Sequence, residues 1–265
     1  MTNQKKTANK NIWRFYEGRE REEVLDSITV EAPLTIYLDG EELVTLLCTP
    51  EKTDRLALGF LRSEGLITEP DDVSSLHVDR EKGLVEIELK DKNILAGRLF
   101  GRRMITSGCG KGTVFYNALD SLSSNPVAND LRIASRQVRL LMNELQARGE
   151  LFRLTGGTHI AALADCSRLI IAFEDIGRHN ALDKIIGESL LQGISTDDKI
   201  IVSSGRLSSE ILLKAAKLKI QLLISRAAPT SLSVDLAEKL KITLIGFVRG
   251  KRFNVYTHAW RISGD

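Results

Sequence analysis

From Arg168 to Phe247 the chain keeps a rhythm that few folds can accommodate. Short apolar runs at Arg168–Phe173, Lys199–Val202, Lys219–Ile224 and Ile242–Phe247 alternate with helix-like segments at Ala181–Leu191, Ser208–Leu218 and Ser231–Lys241. The runs have strand length, and the segments between them have helix length and helical spacing of their apolar residues. A βαβαβαβ order of this kind predicts a largely parallel sheet with helices on its faces. In open α/β sheets, ligands bind in the crevice outside the carboxyl ends of the strands. The residues just beyond each apolar run are therefore the first place to look for chemistry.

The first hundred residues follow a different plan. Residues 1–12 are polar and predict a frayed terminus. Between Glu31 and Thr49, two β-rich runs flank Asp39-Gly40, a strong hairpin signal. Cys48-Thr49-Pro50 closes the second strand. Thr53–Glu64 carries Leu56, Leu58, Phe60 and Leu61 and predicts a helix stopped by Gly65. Val73–Leu99 alternates enough to suggest a second hairpin through Glu81-Lys82-Gly83. A Ser- and Asn-rich linker at Ser121–Asn129 precedes an amphipathic helix over Ala134–Gly149, with Val138, Leu141, Met142 and Leu145 on one face. The expected division is an α+β module over 1–105, a mobile loop and linker over 106–130, and an α/β domain over 131–265.

Composition narrows the function classes. The 37 basic and 35 acidic residues nearly cancel, so a general nucleic-acid binder is excluded and any basic patch must be local. Three cysteines without regular spacing make neither a disulfide framework nor a zinc site, which fits a reducing cytoplasm. No stretch approaches the roughly eighteen apolar residues of a membrane span, and the polar start is unlike a signal peptide.

Two features carry chemistry. The first is Ser107-Gly108-Cys109-Gly110-Lys111-Gly112-Thr113, a thiol between glycines with Lys111 two residues on and Arg102 and Arg103 upstream. Glycine allows close approach, and neighbouring cations favour the nucleophilic thiolate. A buried structural cysteine is the alternative. Cys48 and Cys166 lack such a setting and are expected to be inert. The second feature is the set of strand ends: Glu174-Asp175-Ile176-Gly177-Arg178-His179, Ser203-Ser204-Gly205-Arg206, Ser225-Arg226, and Phe247-Val248-Arg249-Gly250-Lys251-Arg252. Guanidinium groups bind phosphate bidentately, and helix starts favour anions, so four such ends together point to a multiply anionic, phosphorylated ligand. Any single Arg among them could equally be a solvated surface charge. Glu174-Asp175 could supply a general base, cap the following helix or pair with Arg178. His179 could transfer protons or orient a loop. Thr155-Gly156-Gly157-Thr158-His159 precedes a strand and is a candidate ligand loop, although His159 by itself is more commonly a structural histidine. Metal-binding deaminase and nucleotide-loop motifs are absent.

These segments resemble the formate dehydrogenase accessory sulfurtransferases, the FdhD family. The resemblance runs through Leu34–Leu38, Cys48-Thr49-Pro50, Ala57–Leu61, Ser63-Glu64-Gly65 and the Cys109 loop. It continues through Thr155–His159, the distinctive Glu174–Lys184 run, Ser204-Gly205-Arg206, Ser225–Leu232 and Gly246–Arg249. It implies a larger domain like cytidine deaminase without its zinc, three-layered with a mostly parallel sheet, and a homodimer. It also implies a cysteine desulfurase as sulfur donor, Cys109 as the persulfide carrier, and the molybdenum cofactor, bis(molybdopterin guanine dinucleotide), as acceptor before its insertion into formate dehydrogenase. The family's cofactor segment falls on Phe247, Val248, Arg249, Gly250, Lys251 and Arg252, where a guanine nucleotide could also sit; by strand-end position Arg178, Gly205, Arg206 and Arg226 join it. The chain departs from many members at Gly112, where a second loop cysteine is usual, and at Lys219, where a glycine is usual. A cofactor chaperone that moves no sulfur and a thiol redox protein are the rival readings.

Overall fold

The structure, a computed structural model, describes residues 5–91 and 130–264. Strands β1 (Thr7–Arg14) and β2 (Glu22–Thr29) pair as an antiparallel ribbon. The start of the chain is thus a strand rather than a frayed tail. Its polar sequence hid this, because the stabilising pairs form across the ribbon: Ile12 faces Val24, Lys10 faces Asp26 and Arg14 faces Glu22.

A four-stranded sheet follows, built from β3 (Ala32–Leu38), β4 (Glu41–Cys48), β5 (Val73–Asp79) and β6 (Leu84–Leu89) in the order β4-β3-β6-β5. The predicted turn sits at Asp39-Gly40, both left-handed with φ of 50° and 85°, as a tight two-residue hairpin demands. Helix α1 (Thr53–Glu64) ends at Gly65 in the left-handed region, as expected from the sequence. Alternate residues Leu34, Ile36 and Leu38 meet Val85, Ile87, Leu89 and the Leu56, Leu58 and Leu61 face of α1 in one core.

After β7 (Ile133–Ala134) come α2 (Ser135–Arg148) and the short α3 (Glu150–Thr155). The large sheet then assembles β8 (His159–Ala164), β9 (Leu169–Asp175), β10 (Ile200–Ser203), β11 (Leu222–Ser225), β12 (Thr243–Arg249) and β13 (Arg252–Val255), in the order β13-β12-β11-β10-β8-β9. Helix α2 covers one face, packing Val138, Leu141, Met142 and Leu145 on Ala162, Val202, Leu222 and Ile224. Helices α4 (Arg178–Leu191), α5 (Ser209–Lys217) and α6 (Ser231–Leu240) belong to the core on the other face, with Ala161, Leu163, Ile201, Leu223 and Leu244. A last strand, β14 (Ile262–Ser263), pairs with β7. Among the described residues no helix is long and apolar enough to cross a membrane.

The sheet is mixed rather than mostly parallel. Only β10–β11 and β11–β12 pair in parallel, while β8 runs against both neighbours and β13 against β12. The alanine-rich β8 carries weak strand propensity and β13 is short, so neither disturbed the helix–strand rhythm of the sequence. The four strands legible from that rhythm nevertheless share one direction, and their carboxyl ends reach the same edge. Lys219 adopts φ of 57°, so the turn before β11 takes a left-handed conformation that favours glycine.

The two sheets meet where α1 crosses α4, and two glycines let their backbones touch. A Cβ on Gly59 would lie 1.7 Å from the Asp183 carbonyl oxygen, and one on Gly187 would lie 1.9 Å from that of Arg55. Gly59→Ala should therefore force the helices apart and cost about 3 kcal/mol of stability, read as a lowered urea midpoint.

Candidate anion-binding site at the strand ends

Three strands end in the same device. At β9, the Asp175 carboxylate accepts the Gly177 N–H at 2.9 Å; at β10, Ser203 Oγ accepts the Gly205 N–H at 3.1 Å; at β11, Ser225 Oγ accepts the Ala227 N–H at 3.0 Å. Such side-chain-to-backbone turns lift the chain off the sheet sharply. Each carries an arginine: Arg178 and Arg206 directly follow their turns, and Arg226 sits within its own. Neighbouring turns are bonded to one another, since Ser225 Oγ donates to the Gly205 carbonyl at 2.6 Å and the Arg226 N–H to the Ser203 carbonyl at 3.1 Å.

The fourth end is a bulge. The register between β12 and β13 shifts between Gly246 and Arg249, and Phe247 sits at φ of 52°. A left-handed phenylalanine costs on the order of 1–2 kcal/mol, a strain of the sort that collects at ligand sites. Its N–H is held by the Ala227 carbonyl at 3.1 Å. The Arg249 guanidinium lies 5.3 Å from the Phe247 ring centroid, and its Nε donates to the Arg226 carbonyl at 3.3 Å. Val248 is 1% exposed and belongs to the core, so of this predicted run it offers a ligand only its backbone. Gly250 makes the turn at φ of 57°, and Arg249, Lys251 and Arg252 are exposed beside it.

Arg178 occupies the centre. It is the first residue of α4, and its side chain crosses Gly205 so closely that a Cβ there would fall 2.9 Å from the Arg178 Cβ. Its Nε is buried without a hydrogen-bond partner. Burial, then the charge of Arg206, pulls its pKa below the usual arginine value. A buried, unpartnered guanidinium N–H beside a second guanidinium suits an anionic oxygen. The donor set here fits a phosphate.

The two acidic residues of the strand end are committed elsewhere. Glu174 accepts the N–H groups of Leu151 and Phe152 at 2.8 and 2.7 Å, capping α3 rather than the following helix, and also the Thr158 hydroxyl at 3.0 Å. Asp175 is fully buried against Lys184 at 2.7 Å, not against Arg178. Neither is placed as a general base. His179 reaches Glu210 at 3.3 Å, yet burial first, then Lys214, Arg178 and His159, push its pKa down to about 3. Glu210 is more than half exposed, too solvated to offset those cations.

The two thiols among the described residues, Cys48 and Cys166, both sit in settings that disfavour the thiolate. Cys48 is buried, and desolvation followed by the charge of Asp175 raises its pKa to about 12 despite Lys184 nearby. Burial, then Asp165 and Asp198, also raises that of Cys166. Cys109, with Arg102, Arg103, Lys111 and Gly112, lies outside the described residues. A cavity of about 430 Å³ opens at the opposite end of the sheet, but Asp130, Asp165 and Asp198 line it and would repel an anion. The sequence places Ser203 and Ser225 at successive strand ends, but their turn-forming hydrogen bonds to Gly205 and Ala227 emerge only in the structure.

Fold and site together define a mixed α/β protein with arginines gathered at one strand-end edge of its large sheet. Comparison with known proteins gives the lineage. The FdhD/NarQ family pattern matches residues 29–263, and the chain belongs to that family. The sulfur carrier protein FdhD of Bacillus subtilis (strain 168) is 45% identical over 260 residues, covering 98% of this chain and 99% of the relative. That of Geobacillus kaustophilus (strain HTA426) is 43% identical over 251 residues, with 95% of each covered. A crystal structure described as a formate dehydrogenase accessory protein from Desulfotalea psychrophila shares the fold, with a TM-score of 0.79 at 23% identity over 97% of this chain and 99% of that one.

Two outcomes are expected. Iodoacetamide at pH 8 should leave Cys48 unmodified in the folded protein and label it after denaturation, as read by peptide mass mapping. His179 has a folded pKa below its unfolded value, so the unfolded state binds the extra proton. Its contribution is constant above about pH 6.5 and is lost as pH falls towards 3. His179→Gln should flatten that part of the pH–stability curve measured by chemical denaturation.

Proposed function

We propose that this protein is a sulfur carrier that loads sulfane sulfur on Cys109 and delivers it to a phosphate-anchored molybdenum cofactor before that cofactor enters formate dehydrogenase. The observation that supports it most is the strand-end edge, where the buried, unpartnered Nε of Arg178 lies beside Arg206, on the edge that also carries the bonded pair Arg226 and Arg249. Bis(molybdopterin guanine dinucleotide) carries two diphosphate arms, and such an edge offers the guanidinium forks that diphosphates require. Arg178, Arg206, Arg226, Arg249, Lys251 and Arg252 would hold those phosphates, Gly205 would let the backbone come close, and Phe247 would present a face to the guanine. The relatives named sulfur carrier proteins support the sulfur role.

Loading needs no outside oxidant. The Cys109 thiolate attacks the outer sulfur of a persulfide on a cysteine desulfurase, the donor S–S bond breaks, and the donor cysteine leaves as a thiolate. Lys111 favours the attacking thiolate, and Gly112 in place of a second cysteine spares the new persulfide from collapse into a local disulfide. The resemblance further implies a homodimer, a deaminase-like larger domain and a cytoplasmic setting.

Intact mass spectrometry after incubation with a desulfurase, pyridoxal phosphate and cysteine tests the carrier. A thiol-reducible gain of one sulfur should occur in the wild type and vanish in Cys109→Ala. The same gain in both, or none, would remove Cys109 from the sulfur path and leave a cofactor-binding chaperone. Arg249→Ala should load sulfur normally while binding GDP more weakly.

A further inference from the structure

We infer that His159 is a further ligand-contacting residue of this edge: a neutral imidazole whose Nε2–H donates to an oxygen of the anion bound by Arg178 and Arg206. The inference deepens the proposed function and rests on its phosphate-binding edge.

The position of the ring follows from sheet direction. Strand β8 runs against its neighbours, so its first residue reaches the edge where β9 and β10 end. His159 pairs with Asp175 in the ladder, and the preceding Thr158 is tied through its hydroxyl to Glu174 at 3.0 Å. The backbone beneath the imidazole is therefore fixed by paired structure. Ser204, just beyond β10, bears on the tautomer. Its Oγ accepts the Ile160 N–H at 3.0 Å and lies 3.4 Å from His159 Nδ1, and we take its hydroxyl as the donor to Nδ1. With Nδ1 as acceptor, a neutral ring carries its proton on Nε2.

The charges around the ring keep it neutral. Burial acts first, then Arg178 from α4 and Arg206 from the β10–α5 turn; Asp175 from β9 opposes them. His179, on α4 and coupled to His159, is itself held neutral. A third cation beside two guanidinium groups would be repelled, whereas a neutral imidazole adds a directed donor at no such cost. Gly205, next to Ser204, brings Arg178 across the same turn. One turn thus gathers Arg178, Arg206 and the Ser204–His159 pair, enough donors for two oxygens of one phosphate group. Binding an anion there favours the protonated ring, so anion binding should raise the His159 pKa.

The test uses GDP and inorganic pyrophosphate as probes, titrated calorimetrically into the full-length protein at pH 7.5, together with nitrogen-15 NMR of the histidine rings. The wild type should bind both probes. His159→Ala should bind about tenfold more weakly, the loss of one hydrogen bond to a charged acceptor, and His159→Gln, which keeps an N–H donor, should recover most of it. In the wild type, NMR should show His159 as the Nε2–H tautomer, with its pKa raised by pyrophosphate. Equal binding by wild type and His159→Ala, or an Nδ1–H tautomer, would overturn the role of His159 while leaving the phosphate edge intact. Failure of the wild type to bind either probe would overturn the phosphate-binding reading, and this inference with it.

Discussion

The Asp175 carboxylate holds the molecule's two halves and its candidate site in one arrangement. It is completely buried and accepts from the Thr49 N–H and hydroxyl, the Lys184 ammonium, the Gly177 N–H and the Asn180 amide. Thr49 follows the end of the N-terminal sheet, while Gly177, Asn180 and Lys184 begin the helix that carries Arg178. A carboxylate so enclosed is tolerable only because its lone pairs are satisfied and its charge is matched. Removing either ion alone strands a buried charge, so the strand end, the helix start and the inter-sheet contact stand together. The acidic pair of the Glu174–Lys184 run is thus architecture beneath the site.

Much of this was legible beforehand, and what escaped has common physical causes. Helix α1, both hairpin turns of the four-stranded sheet and the direction of four strands followed from apolar spacing and from Gly40, Gly65 and Gly83, because local sequence determines those features. The ribbon over Thr7–Thr29 did not, since its stability lies in cross-strand pairs, from Arg14–Glu22 to Thr7–Thr29, of mostly polar residues. A strand after His159 was legible and is β8, but its antiparallel direction was not, and β13 escaped because Arg252–Val255 owes its strand character to pairing with β12. The arginine edge was visible as a pattern of residues after apolar runs. Its ordering was not: nothing in the sequence set Arg178 inside and Arg249 outside, or bound Glu174 to α3 and Asp175 to Lys184.

That ordering gives the edge an inner and an outer part. Arg178 and His159 are partly desolvated, so their interactions are strong and directional. Arg206, Arg226, Arg249, Lys251 and Arg252 are exposed, and salt screens them over about 8–10 Å. In the proposed role, the outer cations would attract a phosphorylated ligand from a distance and the inner groups would fix its orientation. The bulge at Phe247 places an aromatic face between the two, with Arg249 against it.

The crossing of α1 and α4 has a mechanical consequence. Where Gly59 and Gly187 bring backbone against backbone, no layer of side chains lies between the helices to slide or repack. The joint is stiff in shear. A load applied to the four-stranded sheet passes through α1 into α4, whose first residue is Arg178. A displacement of that sheet would therefore be passed on to the innermost arginine of the edge rather than absorbed at the crossing.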